Sequence, residues 1–112
     1  MTSSDLKKTM HALMEAAEEK IRALEIRVKY EHPLTDDVSL IWKRIDNETK
    51  LWGLVIVTSE ETHSWVSATS DLRFLAINAL PDFVEGLLAA EVEEVEDAED
   101  AIEHLKVFLE KT

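Results

Sequence analysis

The sequence predicts an α+β domain over residues 1–112: a long amino-terminal helix, an antiparallel β-hairpin, and two to three carboxyl-terminal helices packed on one sheet face. Three observations carry this. Residues 38–57 alternate large apolar and smaller or polar side chains with a period of two, which is strand spacing. Before residue 30 and after residue 70 the apolar side chains recur every three or four positions, which is helix spacing. A 112-residue chain with 46% hydrophobic content can build one core without disulfides or metals.

The first helix is predicted to start at Ser3 or Ser4 as cap, with Asp5 in its opening turn where a negative charge suits the dipole. Leu6, Met10, Leu13, Ala17, Ile21, Leu24 and Val28 form one stripe, which extends the helix to about residue 30, some 40 Å. His32-Pro33 is expected to end it, because the residue before proline is pushed out of the helical region.

The hairpin follows. Val38, Leu40 and Trp42 alternate on one arm and Trp52, Leu54 and Ile56 on the other, around the turn residues Asp46-Asn47-Glu48-Thr49. Pairing Trp42 with Trp52, Leu40 with Leu54 and Val38 with Ile56 puts all six on one face, and a one-residue slip would scatter them. The other face carries Ile41, Ile45, Leu51, Val55 and Val57 among Ser39, Lys43 and Gly53. A third short strand around Trp65, over residues 62–66, is an option.

Beyond residue 67 an apolar stripe of Leu72, Leu75, Ala76, Ala79 and Leu80 predicts a second helix. Pro81 is read as the first residue of a third helix, with one kinked helix as the alternative. Gly86 weakens a helix by about 1 kcal/mol relative to alanine, and a close approach by another element would account for it. The last segment, from residue 91, sets Val92, Val95, Ala98, Ile102, Leu105 and Leu109 along one side of an otherwise acidic helix.

Most enzymatic chemistries find no support in these residues. With no cysteine there is no thiol nucleophile, thiolate metal site or disulfide scaffold. Gly53 and Gly86 stand alone, so no phosphate-cradling loop or dinucleotide fingerprint exists. His11 and Glu15 lie one helical turn apart and Glu103-His104 sits on the last helix, but no recurring ligand spacing joins them. His63 and Ser64 are adjacent in a strand and point to opposite faces, so they make no nucleophile and base pair. The carboxylates of residues 91–100 lack the pocket a general acid needs and the glycine of a calcium loop. No cofactor and no metal are expected. Alternating strand positions place Trp42, Trp52 and Trp65 in the core; an aromatic ligand-binding platform made by the three is the other reading.

The net charge of −12 is uneven: residues 1–30 hold six basic and five acidic side chains, residues 81–112 two and eleven. Such a field disfavours direct binding of nucleic acid or an anionic membrane and favours a protein partner with a basic surface. No run reaches the length of a membrane span, and residues 1–10 lack a signal-peptide core, so a cytoplasmic protein is expected. The leading expectation is a non-enzymatic interaction module, an adaptor, assembly chaperone or regulator, acting as a small acidic homodimer. Its candidate contacts are Leu13, Ile41, Val55 and Val57 on apolar surface and Glu93, Glu94, Glu96, Asp97 and Asp100 on the acidic helix. One alternative is an acidic mimic of nucleic acid that inhibits a DNA- or RNA-binding protein; another is a small enzyme with its site at a dimer interface.

Overall fold

A computed structural model describes residues 2–111. Helix α1 (Ser3–Ala23) is followed by strands β1 (Tyr30–Thr35), β2 (Val38–Asp46), β3 (Leu51–Val57) and β4 (Thr62–Ser64). A short 3-10 turn (Trp65–Ser67) leads into helix α2 (Ser70–Lys111). The four strands form one antiparallel meander in the order β1-β2-β3-β4. The class is α+β as expected, with four strands in place of two or three and two helices in place of three or four.

Thr2, one residue before the predicted caps, closes a capping box with Asp5: the Asp5 backbone N–H donates to Thr2 Oγ1 (3.2 Å) and the Thr2 N–H to Asp5 Oδ2 (3.3 Å). The helix stops at Ala23, well short of residue 30. Glu25 adopts the left-handed region (φ 56°) and turns the chain back, so Ile26 becomes a core residue outside the helix, 1% exposed. Its carbonyl accepts the Trp42 indole N–H at 2.9 Å. Ile26 and Val28 thus continue the helical spacing of α1 while serving a loop.

The residues expected to end the helix, His32-Pro33, lie inside β1. Proline is tolerated there because β1 is an edge strand, and the pairing with β2 is irregular between Pro33 and Thr35. The β2–β3 register also differs from the expected one. Leu40 pairs with Ile56, Trp42 with Leu54 and Arg44 with Trp52, with an irregularity between Arg44 and Asp46. The offset is two residues, which leaves every side chain on its expected face. The Asp46 carboxylate organises the turn by accepting the backbone N–H of Glu48 (2.9 Å), and Lys50 takes up a positive φ of 57°. Trp42 and Trp52 meet diagonally, stacked with centroids 6.2 Å apart.

The helices cover the Leu40, Trp42, Leu54 and Ile56 face. Helix α1 lies over β3 through Met14 and Ile21, and α2 lies over β1 and β2 through Ala76, Phe83 and Leu87. Trp65, fully buried after β4, touches both layers. Because β4 pairs only with Val55, Ile56 and Val57, the outer edge of β3 is open at residues 52–54. Side chains of α1 close it: the Leu54 N–H donates to Glu18 Oε2 (2.7 Å), and Arg22 Nε donates to the Trp52 carbonyl (2.9 Å). This is a way to blunt a strand edge without another strand.

Pro81 does not divide α2, which runs unbroken through it for 42 residues. Proline removes one backbone donor. Burial of Ala76 on one side of it and Phe83 and Leu87 on the other holds the axis against the sheet. At 1.5 Å per residue the helix is about 63 Å long, against a longest molecular dimension of 70 Å. Its distal half leaves the body, and every described residue from Val92 onward is exposed.

Candidate protein-docking surface

An apolar concavity lies between α1 and the start of α2. The two helices sit side by side on one sheet face, α1 over β3 and α2 over β1 and β2, and a groove of about 580 Å³ opens between them. Leu6, Met10 and Leu13 form one wall, Phe74, Ile77 and Leu80 the other, with Met14, Ala17 and Trp65 completing the lining. The walls are exposed: Leu13 retains 65% of its surface and Phe74 50%. Among the described residues, Lys7 contributes the one charged group of the lining. The buried Trp65 indole N–H has no acceptor among the described residues, in an apolar setting. Trp42 and Trp65 are core residues, which removes the three-tryptophan platform; Trp52 is half-buried against Trp42.

The predicted contact residues are dispersed. Leu13 lines the groove. Ile41 and Val55 do not form an open apolar back to the sheet, being only 6% and 7% exposed, and Val57 is half-buried. The physical reason is the pair of flanking strands, β1, which was not anticipated, and β4, which falls in the optional third strand over residues 62–66: Ile41 and Val55 face each other across β2 and β3, flanked by Glu31 of β1 and Ser64 of β4. Glu93, Glu94, Glu96, Asp97 and Asp100 are all exposed on distal α2, far from the sheet. On the same helix segment Val92, Val95, Ile102 and Leu105 are each at least half exposed.

Polar clusters are sparse. His11 Nε2 lies 2.8 Å from Glu15 Oε1, one helical turn away, and His63 Nε2 lies 2.6 Å from Glu61 Oε2. Among the described residues no group of three or more His, Cys, Asp or Glu side chains is placed to hold a metal ion. Likewise, no helix among them is long and apolar enough to cross a membrane.

Sequence reasoning missed the opposing wall of the groove. Phe74 and Ile77 flank the stripe of α2 that packs on the sheet, and their distinct role is visible only once that stripe is seen to be taken by Ala76, Phe83 and Leu87. The signal available was a second periodicity: Phe74, Pro81, Leu88, Val95 and Ile102 stand at intervals of seven. No protein-family model matches this chain, and neither a curated protein nor a solved structure matches it.

Proposed function

We propose that this protein is a non-enzymatic interaction module that works as an acidic homodimer and recruits a protein partner with a basic surface. The observation that carries the reading is the apolar groove between α1 and α2, whose walls hold Leu6, Leu13 and Phe74 at half exposure or more. Large contiguous apolar surface of this kind is costly to leave in water and usually marks an interface. The net charge of −12 then selects among partners by steering basic surfaces towards the protein.

Affinity capture from an extract of the source cell, with wild-type protein and Leu13→Asp side by side, tests the recruitment. Capture of a specific partner by the wild type that is lost with Leu13→Asp supports recruitment by the dimer that the groove holds together, and equal capture by both proteins refutes a role for the groove in recruitment. The nucleic-acid-mimic reading is favoured by one observation, the exposure of Glu93, Glu94, Glu96, Asp97 and Asp100 on a projecting helix. It predicts capture of a DNA- or RNA-binding protein that survives Leu13→Asp and is lost when Glu93, Glu96 and Asp97 become glutamine.

A further inference from the structure

We infer that the occupant of the groove in the homodimer is the distal half of α2 from a second copy, so that two chains pair antiparallel and each fills the other's groove. This rests on the homodimer proposed above and specifies its geometry.

Helix α2 carries two apolar stripes. Ala76, Phe83 and Leu87 are spent on the sheet. The other stripe, Phe74, Pro81, Leu88, Val95 and Ile102, advances by seven residues, and Ile77, Val84, Ala98 and Leu105 follow four of its members three places later, with Glu91 holding that place after Leu88. That heptad spacing is the pattern by which one helix receives another. At its proximal end Phe74 and Ile77 form the α2 wall of the groove together with Leu80, which lies outside the stripe. Its distal part, with Val95 at 50%, Ile102 at 52% and Leu105 at 60% exposure, has left the body of the molecule. One chain therefore holds a groove without a helix and a helix without a groove. The chain cannot join them itself, because Phe74 and Leu105 are separated by about 46 Å of continuous helix. A twofold axis joins both pairs at once.

Charge decides the direction. Parallel pairing would lay residues 91–100, with seven acidic and no basic side chains, against their own copy. Antiparallel pairing that sets Phe74 against the partner's Leu105 also sets Ile77 against the partner's Ile102 and Val84 against the partner's Val95. The acidic stretch then runs beside residues 79–88, whose acids are only Asp82 and Glu85. Asp71 meets the partner's Lys106 at a flanking position, Pro81 meets the small side chain of the partner's Ala98, and Lys7 on the groove wall faces an acidic helix.

The absence of native cysteine makes the geometry directly testable. A Phe74→Cys, Leu105→Cys double variant is oxidised mildly and run on a non-reducing gel beside each single variant. A covalent dimer from the double variant, with the singles remaining uncoupled, is the expected result. Coupling of Leu105→Cys alone would mean parallel pairing and overturn the proposal. So would a double variant that is dimeric by light scattering yet does not couple, which would leave the homodimer standing with another interface. A wild-type mass near 12.8 kDa at micromolar concentration would overturn the homodimer itself. If the first pair of substitutions prevents folding, Ile77→Cys with Ile102→Cys makes the same test one layer along.

Discussion

The hydroxyl of Tyr30 occupies the space that a β-carbon on Gly86 would fill. This brings the first residue of β1 against the backbone of α2, and the Tyr30 ring is wedged there by Phe83, with centroids 5.2 Å apart. Glycine at this position is a condition for seating α2 on the edge of the sheet, and its conformational freedom is not what is used.

Gly86→Ala is therefore expected to destabilise the protein although alanine is the better helix former. The propensity gain is about 1 kcal/mol, whereas forcing a methyl into a filled, rigid contact costs about 1–3 kcal/mol. Urea unfolding should show a net loss of up to about 2 kcal/mol. In a Tyr30→Phe background, which removes the obstructing oxygen, the loss should shrink without vanishing, because the ring carbon Cζ still lies 2.5 Å from the place of the β-carbon. An alanine variant as stable as the wild type would mean that β1 and α2 can separate freely.

A second prediction concerns the open edge of β3. The Glu18 side chain is mostly buried, 3.5 Å from Arg22, and takes the Leu54 N–H that no strand receives. Glu18→Ala leaves that N–H without its partner, at a cost of about 1–3 kcal/mol. Glu18→Gln keeps an acceptor oxygen and should lose less. Chemical denaturation of both variants decides, and equal midpoints for wild type and Glu18→Ala would show that water replaces the carboxylate.

The hairpin face was legible in the sequence because Leu40, Trp42, Leu54 and Ile56 obey a period of two, and a register error of two residues preserves that period. Strand β1 was hidden for a physical reason. Ile26 and Val28 prolong the apolar spacing of α1, and the turn that interrupts it is made by Glu25 in a left-handed conformation rather than by glycine. Pro33 then gave the appearance of a helix stop while sitting in an edge strand. The continuity of α2 was hidden by Pro81, whose lost backbone donor is outweighed by packing on both sides. Of the proposed contact residues, Leu13 was legible as surplus apolar surface. Ile41 and Val55 were misread because their cover comes from β1 and β4.

The tryptophans should separate by burial. Trp42 is 1% exposed and its indole N–H anchors the chain reversal after α1 at the Ile26 carbonyl, so Trp42→Ala should remove about 3–5 kcal/mol. Set against a total of about 5–15 kcal/mol for a domain, that loss takes a large share of the stability and should lower the melting temperature steeply. Trp52 is half-buried and stacks on Trp42 from the diagonal position, so Trp52→Ala should cost about 1–2 kcal/mol and stay folded. Circular dichroism melts of the two proteins provide the comparison; a Trp52 variant as damaged as the Trp42 variant would place Trp52 in the core.

Salt should stabilise this protein. On distal α2, Glu93 and Asp97 are four residues apart, as are Glu96 and Asp100, and all four are exposed with no basic residue between positions 91 and 100. Each like-charged pair at this spacing opposes the helix by about 0.2–0.5 kcal/mol at low ionic strength. In a homodimer the net charge doubles to −24, twice −12, so repulsion acts on assembly as well as on the helix. Added sodium chloride shortens the screening length to about 10 Å at 0.1 M, which leaves adjacent side chains coupled and suppresses the longer-range repulsion between acidic segments. The melting temperature should rise modestly between dilute buffer and 0.1 M salt, and at fixed protein concentration the dimer fraction should rise with it. Both are read from differential scanning fluorimetry and light scattering on the same samples. A melting temperature that falls with salt would mean that the acids are held in favourable ion pairs, with Lys7, Lys20 or Arg27 of a neighbouring chain as the available cations. Substituting those three residues one at a time would then identify the pair by abolishing the salt dependence.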